Sequence, residues 1–194
     1  MLHIKKMFIL LVVFAVSSFA QTKWTFDKTH TQVKFTVTHL VITEVEGNFS
    51  SFDGSVETNG DNFDNAKINF TIDVASINTD NEKRDEHLKS DDFFSADKFA
   101  KITFVGKSLK KISDKKYKLV GDITIRDITK EIELDVKYNG IVNDPWGNTK
   151  AGFKLTGELD RFDFGLKWNA LLEAGGAVVS KEVGLTINVE LTKS

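Results

Sequence analysis

The sequence predicts an all-β fold: an extended eight-stranded antiparallel up-and-down β-barrel with one short helix between the third and fourth strands. Three observations lead there. Apolar and polar residues alternate with period two over most of the chain, the mark of strands with one buried face. Turn-forming residues separate the alternating runs at short intervals, so neighbouring strands run antiparallel. One connection is longer and carries helix start signals.

The clearest alternation sets Ala66, Ile68, Phe70, Ile72 and Val74 against Lys67, Asn69, Thr71 and Asp73. Ile132, Leu134, Val136 and Tyr138 follow the same rule, as do Val183, Leu185, Ile187, Val189 and Leu191. Shorter runs are Val33, Phe35 and Val37; Ile102 and Phe104; Tyr117, Leu119, Ile123 and Ile125; and Ala151, Phe153, Leu155 and Leu159. Between Glu46 and Thr58 the chain is strand-like, but Phe49 and Phe52 fall out of phase, which predicts a bulge within one strand. The expected strands lie near 31–38, 46–58, 66–74, 101–107, 117–125, 130–140, 149–160 and 183–192. Asn59-Gly60-Asp61, Ser113-Asp114 and Asp144-Pro145-Trp146-Gly147 are turns. Asn78-Thr79-Asp80 offers N-caps for a helix from Glu82 to Ser90, and Trp168 to Ser180, with Gly175-Gly176, reads as a loop or helical turn.

Closure into a barrel removes both exposed edges, although the same strands would also serve a two-sheet sandwich. Lys, Glu and Asp occupy the face opposite the apolar one, which a lipid-facing barrel does not tolerate, so the apolar residues point inward. An eight-stranded barrel is either filled by its own side chains or wide enough for one slender ligand. The long strands favour a cavity, as do the small inward residues Ala66, Gly106, Gly121, Ala151 and Gly157; the alternative for each glycine is relief of barrel curvature. The pore walls would then comprise Phe35, Val37, His39, Phe49, Ile68, Phe70, Ile72, Phe104, Leu119, Ile123, Leu134, Val136, Phe153, Leu155, Leu185, Ile187 and Val189.

Composition narrows the function. With 26 Lys+Arg against 28 Asp+Glu there is no basic excess for nucleic acid, and without cysteine there is no disulfide, zinc-cysteine cluster or thiol nucleophile. Lys5 and Lys6 precede an apolar run from Met7 to Val16, and Ser18 and Ala20 stand where a signal peptidase needs small residues. Residues 1–20 are therefore expected to be a signal peptide cleaved after Ala20, and 21–194 a soluble, exported, periplasmic domain without stable membrane insertion. The run is shorter than the roughly 20 residues that span a bilayer. Asn48-Phe49-Ser50 and Asn69-Phe70-Thr71 match the glycosylation tripeptide by chance, the second inside a strand.

No hydrolase elbow, zinc-protease helix or phosphate-binding glycine loop is present, so no catalytic or metal-ligating set is assigned. His30, His39 and His87 are too widely spaced for a local metal site. His39 keeps the inward phase of Val37 and would stand at one end of the apolar tube, either on a ligand head group or bonded to a loop carbonyl. Arg84 and His87 lie three apart on the expected helix, where Asp85, Asp91 or Asp92 could pair with them and fix it to the barrel end. Arg161 and Asp163 flank Phe162 as a strand ends, which suits a corner lock better than a reaction centre.

Taken in order, several segments resemble the YceI-like periplasmic proteins, also called polyisoprenoid-binding proteins. They are Trp24-Thr25-Phe26-Asp27 with Thr29-His30-Thr31-Gln32-Val33-Lys34-Phe35 and His39; Gly47-Asn48-Phe49 with Phe52-Asp53-Gly54; and Ile77-Asn78-Thr79. They continue with Arg84-Asp85-Glu86-His87-Leu88 and Asp92-Phe93-Phe94; Ile102-Thr103-Phe104; Gly121-Asp122-Ile123-Thr124-Ile125; and Arg161-Phe162-Asp163-Phe164-Gly165. The resemblance implies a lipocalin-like barrel with a long apolar pore for an isoprenoid chain, such as a quinone tail, or another long amphiphile. It implies a structural role for His30, Arg84, Asp85, His87, Leu88, Phe93, Phe94, Arg161, Asp163, Phe164 and Gly165. Phe99-Ala100-Lys101 departs from the pattern, lacking the proline that many relatives carry before the next strand.

The expected function is thus transport or storage of a long-chain lipid or isoprenoid, without a cofactor, by a monomer or homodimer. Burying a methylene from water contributes about 0.8 kcal/mol, so a long chain would exceed the practical ceiling of roughly 18–21 kcal/mol if water were its source. In a bilayer the tail is already desolvated, and exchange with a dry tube becomes nearly neutral and reversible. The competing expectations are a barrel enzyme acting on a lipid through His39 with Arg161 or Asp163, and a stress protein with a solid core.

Overall fold

The computed structural model describes residues 21–170 and 177–194; the expected signal peptide and Gly175-Gly176 lie outside the described residues. The strands are β1 (Gln21–Phe26), β2 (Gln32–His39), β3 (Thr43–Phe49), β4 (Phe52–Asn59), β5 (Asn62–Asp73), β6 (Ile77–Asn78), β7 (Lys101–Ser113), β8 (Lys116–Ile125), β9 (Ile128–Asn143), β10 (Thr149–Asp160) and β11 (Glu182–Lys193). One α-helix, α1 (Glu82–Lys89), follows β6.

These strands close as an eight-stranded antiparallel barrel because two of its staves are interrupted. β11 pairs with β10 on one side and with both β2 and β1 on the other. β1 in turn pairs with β4, and β2 with β3. One stave is therefore β1 and β2 end to end, and the next is β3 and β4. The sequence expectation of a bulge between Glu46 and Thr58 is corrected to a break at Ser50 and Ser51. There the chain turns a corner, with the Ser50 N–H donating to the Ser76 carbonyl and the Asp73 N–H to the Ser51 carbonyl. β1 was not among the expected strands, yet its Trp24 is fully buried and donates from Nε1 to Thr58 Oγ1 at 2.9 Å.

β7 runs past its expected end at 107 because the register shifts between Gly106 and Ser108, switching the inward phase from even to odd positions, so that Leu109 is buried. The helix cap is Asn81 rather than an earlier residue, its Oδ1 accepting from the Arg84 N–H at 3.0 Å. The two ends of the barrel differ. At one end, which we call the floor, the rings of Trp24, Phe63, Tyr138 and Phe153 pack at centroid distances of 4.9–6.0 Å. The other end carries the β2–β3 hairpin, α1 and the described parts of the β10–β11 connection.

Candidate binding chamber

Two cavities lie in the lumen. The larger, of about 320 Å³, occupies the end under α1. The smaller, of about 90 Å³, lies between it and the floor. Of the expected wall residues, Phe35, Val37, His39 and Phe49 line the upper chamber. Ile68, Phe70, Phe104, Leu119, Leu134, Leu155 and Val189 line the lower. Ile72, Ile123, Leu185 and Ile187 face both. Val136 and Phe153 line neither; they belong to the packed cluster at the floor, so the pore is not open along its whole length.

The inward glycines do not supply the open volume. A Cβ on Gly121 would meet the Phe104 ring, and one on Gly157 would meet Leu134 Cδ2. Each neighbour already fills the space its glycine vacates. Ala66 and Ala151 are buried in the floor cluster. Empty space collects instead at the upper end, among residues of β2, β3, α1 and the described parts of the β10–β11 connection.

Several residues expected to be structural stand at this mouth: Arg84, His87, Leu88, Phe93, Phe94, Arg161 and Phe164 all line the upper chamber. Their fixing bonds are visible. Arg84 donates from Nε to Thr79 Oγ1 at 2.8 Å and from Nη2 to the Thr79 carbonyl at 2.6 Å. Asp85 Oδ1 accepts from the Thr79 N–H at 2.9 Å and from its hydroxyl at 2.5 Å, tying α1 to the strand before it. His87 Nε2 lies 2.9 Å from Asp92 Oδ2, and its ring meets Phe93 and Trp168 edge-on at 5.1 and 4.9 Å.

Arg161 is 4% exposed and is held by carbonyls rather than by a carboxylate. Nε donates to Ser180 at 2.9 Å, and Nη1 donates to Trp168 at 2.9 Å and also to Leu166. Nη2 donates to Val179 at 3.4 Å. Burial pulls its pKa down from the ordinary guanidinium value. Asp163 is exposed and apart from the chamber, so the two charges of the motif do not act together. Gly165 takes a left-handed φ of 75°, closing the turn after Asp160.

His39 lines the chamber from the end of β2, where its backbone bridges to Val179. Its ring has no hydrogen-bond partner among the described residues. Among the described residues the chamber's charged and titratable lining is thus Lys34, Arg84, Arg161, His39 and His87, with no carboxylate. Lys34 is engaged by Glu46 at 2.7 Å. Trp168, Leu166, Val178 and Val179 also line it, from a connection whose sequence has no periodic signal.

His30 is far from this site in role. It is exposed beside Asp27, Glu190 and Lys150, where Lys150 Nζ lies 2.7 Å from Asp27 Oδ2 and 3.2 Å from Glu190 Oε1. Asp27, His30 and Glu190 could together face a metal ion, but the protein's own ammonium already compensates their charge. The Lys150 bond holds the Asp27 carboxyl far below the usual carboxylate range.

A family model described as the YceI-like domain matches residues 24–191. The chain belongs to the YceI-like family. Among curated relatives, a UPF0312 protein of Staphylococcus aureus is 41% identical over 174 residues, covering 89% of this chain and 99% of that one. The solved YCEI protein of Campylobacter jejuni superposes with a TM-score of 0.68 at 34% identity, covering 88% of this chain and 97% of its own. A polyisoprenoid binding domain from Saccharophagus degradans shares the YceI-like fold at 12% identity, with a TM-score of 0.67 and coverage of 88% and 98%. Among the described residues of this YceI-like chain, no helix is long and apolar enough to cross a membrane.

Proposed function

We propose that this YceI-like protein is an exported soluble carrier or store that holds the apolar chain of one long amphiphile, a polyisoprenoid, an isoprenoid quinone or a comparable lipid. The observation that carries the reading is the upper chamber: apolar walls inside a closed barrel, with Arg84, Arg161, His39 and His87 at the mouth and no lining carboxylate among the described residues. Apolar walls accept a chain from a bilayer at little net cost, and a few polar groups at the mouth select the head. Cations and imidazoles favour a head rich in hydrogen-bond acceptors or negative charge. Val41 and Ile42, 65% and 78% exposed at the tip of the β2–β3 hairpin, extend apolar surface outward from that mouth.

The chamber counts against the solid-core alternative. The enzyme alternative needs His39 with Arg161 or Asp163: His39 and Arg161 both line the chamber, but the Arg161 guanidinium is taken up by backbone carbonyls and Asp163 does not line it, which favours binding over turnover. The basic, then apolar, then small-residue order of residues 1–20 supports export. The test is organic extraction of the purified native protein followed by mass spectrometry. A long-chain amphiphile recovered at about one per barrel supports the reading, and a protein that yields none and takes up none from lipid vesicles contradicts it.

A further inference from the structure

We infer that the lumen measures chain length, through an aliphatic collar above a second, apolar chamber that ends on the packed floor; this rests on the binding role proposed above. Five residues face both cavities: Ile72, Ile102, Ile123, Leu185 and Ile187. Ile72 and Ile102 are cross-strand partners on β5 and β7, and Ile123 follows on β8. Leu185 and Ile187 come from β11, whose neighbours are β10 and β2. Branched side chains from two sides of the barrel thus stand where the upper and lower cavities adjoin.

The compartments differ in chemistry as well as size. Among the described lining residues, the charged and imidazole groups lie in the upper one, whereas the lower is lined by apolar residues and Thr103. An amphiphile therefore enters tail first, and its head stays at the mouth. Its tail reaches the lower chamber only by passing the collar. Beyond that chamber it meets the floor, where Val189 pairs with Phe153 and the Phe153 ring lies 4.9 Å from that of Phe63.

A buried tail atom adds affinity only while it finds apolar space. Each methylene that does so strengthens binding from water about fourfold. Once the tail touches the floor, a further methylene must be left outside or must bend the chain, and the gain stops. Val189, beside the floor and facing the lower chamber, is the residue that sets this limit.

The experiment measures the affinity of the full-length mature protein for a homologous series of saturated fatty acids, medium to very long, below their aggregation concentrations. Wild type should show the fourfold steps up to a break, then none. Val189→Phe should move the break to shorter chains, and Val189→Leu should do so by less with little demand on folding. Val45→Phe, which fills the upper chamber, should weaken every member alike. A break at the same length in both Val189 variants, or a uniform loss of affinity in them, overturns the length rule alone. A wild-type protein that binds no member overturns the length rule, and one that also takes up no amphiphile from lipid vesicles removes the binding role with it.

Discussion

Phe104 on β7 lies over Gly121 on β8, so close that a Cβ at position 121 would meet the ring and stand 2.6 Å from the Val105 carbonyl oxygen. The ring can shift, but the backbone cannot do so cheaply. Gly121→Ala should therefore destabilise the barrel by about 1–3 kcal/mol, the usual cost of overpacking. A lowered urea midpoint with an unchanged slope would show it; a midpoint equal to wild type would mean that the Val105 carbonyl does not crowd this position.

Asp27 and Lys150 make a partly buried ion pair where β1 gives way to β2. A carboxylate whose pKa is depressed on folding adds stability above its unfolded pKa, about 3.9 for Asp, and loses it as pH falls from there towards the folded value. Wild type should exceed Asp27→Asn by about 1–3 kcal/mol at neutral pH. The difference should shrink below about pH 4. Denaturant titrations at neutral pH and at about pH 3 check the sign, and a constant difference would contradict it.

Arg161 satisfies four backbone carbonyls that flank the chamber mouth. Arg161→Met would take this donor from the Ser180, Leu166 and Trp168 carbonyls, while that of Val179 keeps Asn169 Nδ2 at 2.8 Å, and Lys cannot reproduce the planar fork. Both variants should lose stability, the Met variant by about 3 kcal/mol or more. Limited proteolysis should then cut first between residues 166 and 180. Cleavage confined to other loops would show that Arg161 does not hold this connection.

Phe70 faces the lower chamber, and Lys67, three residues earlier on β5, is exposed. Phe70→Asp buries an unpaired charge and should cost more than about 3 kcal/mol or prevent folding. Lys67→Asp should change stability by no more than about 0.5 kcal/mol. Thermal melts that place the two variants together would refute the inward phase of β5.

Period two made most staves of this barrel legible, because a half-buried strand needs one apolar face and the side-chain alternation maps directly onto it. β1 escaped because a six-residue strand with only Trp24 and Phe26 apolar gives too short a pattern to separate from the preceding segment. The break at Ser50 and Ser51 looked like a bulge because both interrupt the phase, and only pairing with different partners distinguishes them. Phase also said which residues point inward, but not which of them meet. Whether Phe153 borders space or packs against Phe63 depends on rings supplied by separate strands, and that kept Val136 and Phe153 among the expected pore walls. Likewise, a glycine on the inward phase signals missing volume, while the neighbour that fills it, such as Phe104 over Gly121, lies on another strand. Arg161 was recognisable as a lock, but its carbonyl acceptors lie on a connection with no periodicity to place them.

The central claim is that the upper chamber receives the chain of an amphiphile, head at the mouth and tail towards the floor. A crystallographic map of the protein grown with a long-chain isoprenoid or fatty acid tests it most directly. The account predicts continuous density running from beside Arg84 and His87, between Val33 and Phe93, towards Leu185. A map in which Phe35, Phe49 and Phe94 close that space upon one another, with the added amphiphile bound elsewhere or absent, would contradict it.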